Sequence, residues 1–443
     1  MYKFPKDSKL NDQEFIFGVA TASYQIEGAT NVDDRCPSIW DTFCAKPGAV
    51  YKQHNGDVAC LHYHLYQQDV NLIANLGMDA YRLSIAWPRI IKPDGSINQK
   101  GLDFYDRVIS ALKEKKLTIM ATLYHWDLPQ YLDDEGGWLN RETANKFAEY
   151  VEVVSAYFGD RIDFYVTLNE PLCSAFHGYR DGKHAPGIVD DRSAFQACHN
   201  LLLAHGLAMP ILRKNAQNSK HGIVLNFTPT YPANESSIDV ANFAEDEYTH
   251  WFIKPIMEGK YPDSVFQHYI DVMPLISDED MTIISSKIDF LGVNFYSRSV
   301  VERDGKYPNY KRVDLIDVER THIGWEVYPK ALHKLLIELN QTYQLPPIYI
   351  TENGAAIDDH VVDGEVDDEQ RCRYYQNHLS SVDQAIREGV DIRGYFAWSF
   401  MDNFEWSEGY KMRFGIVYVD YETQKRIPKR SALSFKQFLN SRQ

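Results

Sequence analysis

The 443-residue sequence lacks several features that would assign it to a class at once. Its six cysteines are scattered and form no Cys-x-x-Cys pair, and a chain this long does not need disulfides to fold, so we expect a reducing compartment. No apolar run approaches the ~18 residues of a membrane span, and no apolar segment follows the lysines near the N-terminus. We therefore expect a cytoplasmic protein that is not inserted in a membrane.

A surplus of basic residues is also missing, because 46 Lys and Arg stand against 62 Asp and Glu, a formal net charge of −16. This charge repels nucleic acid and anionic membrane surfaces, so we predict neither as a partner. Nucleotide-binding glycine motifs are missing too, and we predict no cofactor. His62 and His64 imitate a metal-binding pair, but they lie in a segment with helical periodicity, where their rings would point about 200° apart. We predict no metal site.

Short β-branched and aromatic runs alternate with amphipathic segments along nearly the whole sequence. In the segment 143–158, for example, Ala144, Phe147, Val151 and Val154 follow one helical face, and 102–115 is a second such helix. Strands separated by helices pair in parallel through right-handed crossovers, and eight of them suit a closed (β/α)8 TIM barrel of the α/β class. The eight predicted strands are 16–21, 80–85, 118–124, 163–168, 222–226, 290–295, 348–351 and 394–398.

No Gly/Ser/Pro-rich linker divides the sequence, so we predict a single catalytic domain over residues 1–443. Longer insertions follow the first, fourth and sixth predicted strands, at 27–55, 176–191 and 297–325. They predict elaborated βα loops at the C-terminal face, where barrel active sites are built. The acidic run 358–369 is expected to be a solvated loop.

Polar and aromatic residues cluster where the predicted strands end. Glu170 follows the fourth strand and Glu352 the seventh, and a barrel brings these ends together. In a regular strand Asn169 and Glu170 would point to opposite faces, so we expect the strand to end or twist there, before Pro171. The other residues at strand ends are Gln25, His125, Asn294, Tyr296 and Trp398.

Five ordered motifs at these strand ends resemble those of the bacterial β-glucosidases of glycoside hydrolase family 1. The similarity runs from about residue 15 to about residue 438. The motifs are Tyr-Gln-Ile-Glu-Gly at 24–28, Tyr-His-Trp-Asp-Leu-Pro at 124–129, Thr-Leu-Asn-Glu-Pro at 167–171, Ile-Thr-Glu-Asn-Gly at 350–354 and Trp-Ser-Phe-Met-Asp-Asn-Phe-Glu-Trp at 398–406.

The resemblance implies a retaining double displacement in which Glu352 is the nucleophile and Glu170 the general acid/base. Retaining enzymes hold two such carboxyl groups ~5–5.5 Å apart, whereas inverting enzymes leave ~6.5–9.5 Å for a water. The resemblance also implies that Arg82 and Tyr296 contact Glu352 and keep it charged. Glu170 then stays protonated beside that anion until the covalent intermediate forms.

The resemblance further implies a sugar-binding pocket for a small-molecule β-glucoside or oligosaccharide. The substrates implied are cellobiose, cello-oligosaccharides and aryl β-glucosides, with galacto and fuco configurations also accepted, and the process is cellulose degradation. A homo-oligomer is compatible with the sequence. The implied binding residues are Gln25, His125, Asn169, Asn294, Tyr296, Glu405 and Trp406, with Trp398 as the apolar floor, Trp325 as a platform for the leaving group, Phe414 beside Glu405, and Cys173, His184 and Asn226 as further neighbours.

Three alternatives remain open. A 6-phospho-β-glucosidase has Ser, Lys and Tyr in its last loop, whereas here Glu405 takes the Ser position and Phe414 the Tyr position, with Lys411 nearby. A carboxylate would repel the phosphate. A catalytically inactive glycan-binding barrel would be expected to lose one of the two glutamates. Plant thioglucosidases replace the acid/base with Gln, which Glu170 disfavours.

Overall fold

The computed structural model describes residues 2–442, and its centre is a closed barrel of eight parallel strands. Each strand pairs with its neighbours in chain order, and the last strand pairs with the first to close the barrel. This confirms the predicted fold class. The barrel strands are β1 (Ile16–Ala20), β2 (Ala80–Ser84), β3 (Thr118–Thr122), β4 (Phe164–Asn169), β5 (Lys220–Phe227), β6 (Phe290–Phe295), β7 (Ile348–Asn353) and β8 (Ile392–Trp398).

Helices separate the strands and form the outer layer. The long helices are α1 (His62–Asn75), α2 (Gln99–Glu114), α3 (Glu142–Phe158), α4 (Asp191–Asn215), α5 (Pro329–Thr342), α6 (Glu369–Arg387) and α7 (Arg430–Leu439). Shorter helices are Ser23–Ile26, Ile39–Ala45, Trp87–Ile90, Gln130–Asp134, Ile238–Glu245, Trp251–Glu258, Asp263–His268 and Asp280–Ile284. The two predicted amphipathic helices therefore correspond to α2 and α3.

The burial pattern explains why these segments take these forms. Strands β2 and β4 are buried at every position, as expected of strands covered by side chains inside and helices outside. On α3 the predicted apolar face packs inward, with Phe147, Val151 and Val154 fully buried. That residues 1–443 form one catalytic domain stays a prediction, which the order of the barrel strands along the chain favours.

Two small sheets decorate the barrel. One has three strands, Thr230–Pro232, Ser299–Arg303 and Tyr310–Arg312, and two of them lie in the insertion predicted after the sixth strand. The other is a hairpin of Val417–Val419 and Arg426–Pro428, which follows β8. Within residues 2–442, no helix combines the length and apolarity needed to cross a membrane.

The expectation of a solvated loop at 358–369 is wrong for two of its acidic residues. Asp359 and Asp368 are buried, and both accept hydrogen bonds from Arg371 of α6, at 2.7 and 2.5 Å. The buried ammonium of Lys429 donates to Asp359 at 2.6 Å. These two side chains face inward because cations from α6 and the segment before α7 neutralise them, while Asp358 and Asp367 remain exposed.

The two histidines of the discounted His-x-His pair diverge. His62 is buried and its Nδ1 lies 2.8 Å from Asp69, whereas His64 is exposed. Both lie in α1, as their periodicity predicts.

Candidate active site

The regular strand conformation of β4 ends where two site residues follow each other in the sequence. The strand ends at Asn169, and Glu170 has a left-handed backbone conformation with φ 49°. Non-glycine residues adopt this region at a cost of about 1–3 kcal/mol, so the surrounding packing must hold it. Because of the break, Asn169 and Glu170 both reach the mouth of the barrel, as expected from the sequence.

Glu352, at the end of β7, is held by two donors on separate oxygens. Arg82 of β2 donates from Nη1 to Oε1 at 2.6 Å, and the Tyr296 hydroxyl donates to Oε2 at 2.6 Å. Arg82 is fully buried and Glu352 is only 3 % exposed. A buried carboxylate with a guanidinium partner and a second donor is equipped to remain charged.

Glu170 is as deeply buried, at 5 % exposure, but its partners are different. The Asn294 amide donates from Nδ2 to Oε1 at 2.6 Å, and the Cys173 thiol donates to Oε2 at 3.2 Å. Across residues 2–442, no lysine or arginine forms an ion pair with Glu170. Its neighbours are neutral, so they compensate a negative charge less than the neighbours of Glu352 do.

The two carboxyl groups are connected through one hydrogen-bond network. Arg82 donates from Nη2 to Asn169 Oδ1 at 2.6 Å, and Asn294 Nδ2 lies 3.1 Å from the same oxygen. Burial, followed by the charge of Glu352, raises the pKa of Glu170. Burial also raises the pKa of Glu352, whereas Arg82 and then Tyr296 lower it. The pair therefore holds one proton most stably on Glu170.

A polar pocket adjoins these carboxyl groups. Gln25 donates from Nε2 to the Phe404 carbonyl at 2.7 Å and to Glu405 Oε2 at 3.4 Å. Burial, then Glu352 and Glu170, raises the pKa of Glu405 to about 8. Among the described residues, Gln25 Oε1 and His125 Nδ1 are buried polar atoms that form no hydrogen bond with a protein group. Such atoms normally need a partner, and sugar hydroxyls can supply it.

His125 lies between the polar pocket and an aromatic floor. Its ring is stacked with Trp398 at 5.8 Å between centroids and with Trp406 at 6.1 Å. Burial, followed by Arg82, holds the pKa of His125 well below its usual value, so the ring is neutral. Its Nε2 lies 3.0 Å from Asn169 Nδ2. Trp398 and Trp406 are both buried, which fits a flat surface beneath a sugar ring.

The rim of the mouth is more open. Trp325 is 37 % exposed, and its ring lies 5.2 Å from that of Tyr296 and 5.9 Å from that of Phe414. The structure thus brings these three predicted residues together. His184 and Cys173 line one small cavity beside Trp126. Asn226 lies on β5 in register with Asn294.

The sequence assigned no role to two supporting residues. Trp126 has a left-handed backbone conformation (φ 79°) and donates from Nε1 to the Asn169 carbonyl at 2.9 Å, so it stabilises the end of β4. Thr351 donates to Asn294 Oδ1 at 2.7 Å. Trp126 lies inside one of the recognised motifs, which was the available signal. Thr351 offered none, because its role depends on strand register.

Gly354 shows how closely the segment after Glu352 approaches β8. A Cβ added there would lie 1.7 Å from the carbonyl oxygen of Trp398, so no larger residue fits. Glycine at this position therefore allows the segment that carries Glu352 to pack directly against Trp398.

Barrel enzymes that split glycosidic bonds use two buried carboxyl groups at one opening, and this barrel mouth holds two, one beside a guanidinium and one beside neutral partners. The fold and the site thus define a glycoside-cleaving α/β barrel. Comparison with known families is consistent with this class. The chain belongs to glycosyl hydrolase family 1, because the sequence model described as "Glycosyl hydrolase family 1" matches residues 7–443.

Individual relatives are similar over nearly the full chain. A β-glucosidase from Agrobacterium sp. (strain ATCC 21400) is 46 % identical over 426 residues, which cover 94 % of this chain and 93 % of the relative. A bifunctional β-D-glucosidase/β-D-fucosidase from Bifidobacterium breve is 42 % identical, with 96 % and 97 % covered. The solved structure of a β-glucosidase from Thermotoga maritima in complex with azafagomine has a TM-score of 0.94 at 45 % identity and covers 99 % of each chain.

Proposed function

We propose that this family 1 glycosyl hydrolase is a retaining β-glucosidase that removes terminal non-reducing β-D-glucosyl residues. One observation carries the proposal: of two buried carboxyl groups in one network, Glu352 has the guanidinium partner and Glu170 has only neutral ones. The difference suits an anionic nucleophile and a protonated acid.

In the first step, a Glu352 oxygen attacks the anomeric carbon while Glu170 protonates the departing glycosidic oxygen. A glycosyl-enzyme on Glu352 results, and the charge that had kept Glu170 protonated is gone. Glu170 then acts as the base for the water that releases the sugar. Asn294 lies beside both carboxyl groups, which favours the short ~5–5.5 Å separation of retaining enzymes.

The pocket chemistry supports a neutral hexose as the bound group. Gln25, His125, Asn169, Glu405 and Trp406 supply donors and acceptors, and Trp398 supplies the floor. We propose gluco-configured substrates first, with fuco and galacto configurations as secondary ones. The relatives named for β-glucosidase and β-fucosidase activity support the first two. Cellobiose, cello-oligosaccharides and aryl β-glucosides are the proposed natural forms, which would make the enzyme part of cellulose degradation.

A 6-phosphorylated substrate is the weaker candidate. Burial, then Glu352 and Glu170, raises the pKa of Glu405, so the pocket already disfavours a further negative charge at this position. Lys411 is exposed, and its ammonium lies over the Tyr51 ring at 5.5 Å. Within residues 2–442, Glu405 forms no ion pair with a lysine or arginine that could offset a phosphate. Electrostatic repulsion therefore disfavours a phosphate beside Glu405.

A substrate panel tests this proposal. We expect p-nitrophenyl β-glucoside, the β-fucoside and cellobiose to be hydrolysed, and p-nitrophenyl β-glucoside 6-phosphate to be rejected. The control Lys411→Ala should leave this preference unchanged. Preference for the 6-phosphate would contradict the proposal and identify the protein as a 6-phospho-β-glucosidase. Tight binding of glycosides without any turnover would replace it with an inactive glycan-binding barrel.

Cytoplasmic location and self-association stay predictions. The six unpaired cysteines favour a reducing compartment. Gel filtration with light scattering would determine the subunit number.

A further inference from the structure

A rare helical turn places a thiol against Glu170. Three residues after Glu170, a π-helical turn over Cys173–His177 begins, and the Cys173 backbone N–H donates to the Glu170 carbonyl at 2.9 Å. Such turns are uncommon and occur frequently at functional sites. Here the turn brings the Cys173 Sγ to 3.2 Å from Oε2 of Glu170. The thiol is buried, so this contact is shielded from bulk water.

The orientation of the two nearby amides follows from Arg82. A guanidinium only donates, so the Asn169 atom 2.6 Å from Nη2 must be the amide oxygen. The Asn294 atom that lies 3.1 Å from that oxygen must then be the NH2 group. The donor and acceptor roles are thus fixed by chemistry rather than chosen.

The same NH2 group identifies the oxygen of Glu170 that carries the proton. Asn294 Nδ2 lies 2.6 Å from Oε1, so Oε1 must accept and cannot present an O–H to this amide. When Glu170 is protonated, its hydrogen is therefore on Oε2. That is the oxygen in contact with Cys173.

The Cys173 thiol is protonated and can therefore donate a hydrogen bond. Burial, followed by the charge of Glu170, raises the pKa of Cys173 well above its usual value. Cys173 therefore remains an S–H across the working pH range, and its thiol is a hydrogen-bond donor to Oε2.

We propose that Cys173 is a positioning residue that holds Oε2, the proton-donating oxygen of Glu170, while Asn294 holds Oε1. The inference rests on the proposed function, in which Glu170 is the acid/base. As the glycosidic C–O bond breaks, the proton moves from Oε2 to the departing oxygen and leaves a carboxylate. The S–H bond to that carboxylate is charge-assisted, so the thiol favours the state that follows proton transfer.

Other charged and titratable groups face this pair from the surrounding elements, and all are unchanged in Cys173 variants. They are Arg82 from β2, Tyr124 after β3, Tyr179, Asp181 and His184 after β4, Tyr296 after β6, Glu352 from β7 and Glu405 after β8. A change in pH dependence that appears on replacing Cys173 alone therefore reports the thiol contact.

The test compares Cys173→Val, which removes the donor at similar volume, with Cys173→Ser, which keeps a donor. The measurement is kcat/KM for aryl β-glucosides of graded leaving-group pKa, because it reports the first bond cleavage. For poor leaving groups, Cys173→Val should lose about two- to tenfold, the worth of one hydrogen bond. For 2,4-dinitrophenyl β-glucoside the loss should be smaller, because that group leaves without protonation. The basic limb of the pH profile should move to higher pH, because loss of a donor to the carboxylate raises the pKa of Glu170.

Cys173→Ser should retain the wild-type basic limb and leaving-group dependence. Cys372→Val is the matched control, because that thiol lies on the outer helices, 3.9 Å from the Ser434 hydroxyl. Cys173→Ala is made alongside, so that a folding defect in the valine variant leaves the test intact. A wild-type basic limb in both the valine and alanine variants would overturn the inference. So would losses that follow the size of the leaving group rather than its pKa.

The two proposals fail differently. If Cys173 has no such role, the wild-type enzyme still hydrolyses aryl β-glucosides, and the Cys173 variants have the same pH profile and leaving-group dependence as wild type. If the proposed function is wrong, the wild-type protein itself fails on every aryl β-glucoside, which overturns both.

Discussion

The surroundings of Glu352 and those of Glu170 differ in charge although their burial is nearly equal. Glu352 has the Arg82 guanidinium at 2.6 Å and the Tyr296 hydroxyl at 2.6 Å, whereas Glu170 has an amide at 2.6 Å and a thiol at 3.2 Å. Burial raises the pKa of both groups, and only Glu352 has a contacting cation to oppose it. The comparison teaches that partner chemistry, rather than depth, decides which group keeps the proton.

The first way to break the comparison is to remove the charged member. Glu352→Ala should lower kcat by about 10⁴–10⁶-fold for all β-glucosides, because no covalent intermediate can form. Steady-state kinetics with p-nitrophenyl β-glucoside measures this loss. Glu114→Ala is the control, since that carboxylate is exposed at the end of α2. A Glu352→Ala enzyme within about tenfold of wild type would exclude the assigned role.

Removing the protonated member should have an effect that depends on the leaving group. For cellobiose, Glu170→Ala should reduce kcat/KM by about 10²–10⁴-fold, which is the usual worth of general acid catalysis. For 2,4-dinitrophenyl β-glucoside the reduction should be much smaller, because its leaving group needs no proton. Equal losses for both substrates would show that Glu170 does not supply the proton.

Weakening the charged member should alter the acid side of the pH profile. In Tyr296→Phe, Glu352 loses one hydrogen bond to its ionised form, so kcat/KM should fall by about 10- to 100-fold. The sign follows directly: losing that bond raises the pKa of Glu352, so activity on the acid limb is lost at higher pH than in wild type. Tyr157→Phe, on the exposed side of α3, is the control. An unmoved acid limb would contradict the assignment.

The smallest expected effect is a change in the pKa of Glu170. In Glu352→Gln the negative neighbour of Glu170 is gone while Arg82 remains, so the pKa of Glu170 should fall relative to wild type. Titration of the Glu170 carboxyl by carbon NMR or infrared difference spectroscopy can follow this change. A pKa that stays constant or rises would mean that burial alone, and not Glu352, keeps Glu170 protonated.

Much of this arrangement could be predicted from the sequence, because it depends on periodicity and strand ends. The alternation of strands and helices predicted the barrel, and parallel strands brought Glu170 and Glu352 to one face. Even the break after Asn169 could be expected, since consecutive strand residues point apart.

The remaining features depend on tertiary packing that local preference opposes. Trp126, Glu170 and Trp406 all have left-handed backbone conformations, which no sequence pattern favours for such residues. The contact between Cys173 and Glu170 needs a π-helical turn, which is too rare to predict. Asp359 and Asp368 resembled a solvated acidic run because their cations, Arg371 and Lys429, come from later in the chain.

The central claim is that Glu352 carries the glycosyl group and Glu170 the proton. The most direct measurement is the anomeric configuration of the glycosyl azide that each alanine variant forms from 2,4-dinitrophenyl β-glucoside in the presence of azide. We predict the α-azide from Glu352→Ala, by direct displacement in the vacated position. We predict the β-azide from Glu170→Ala, by attack on the glycosyl-enzyme. The β-azide from Glu352→Ala together with the α-azide from Glu170→Ala would contradict the account and exchange the two roles.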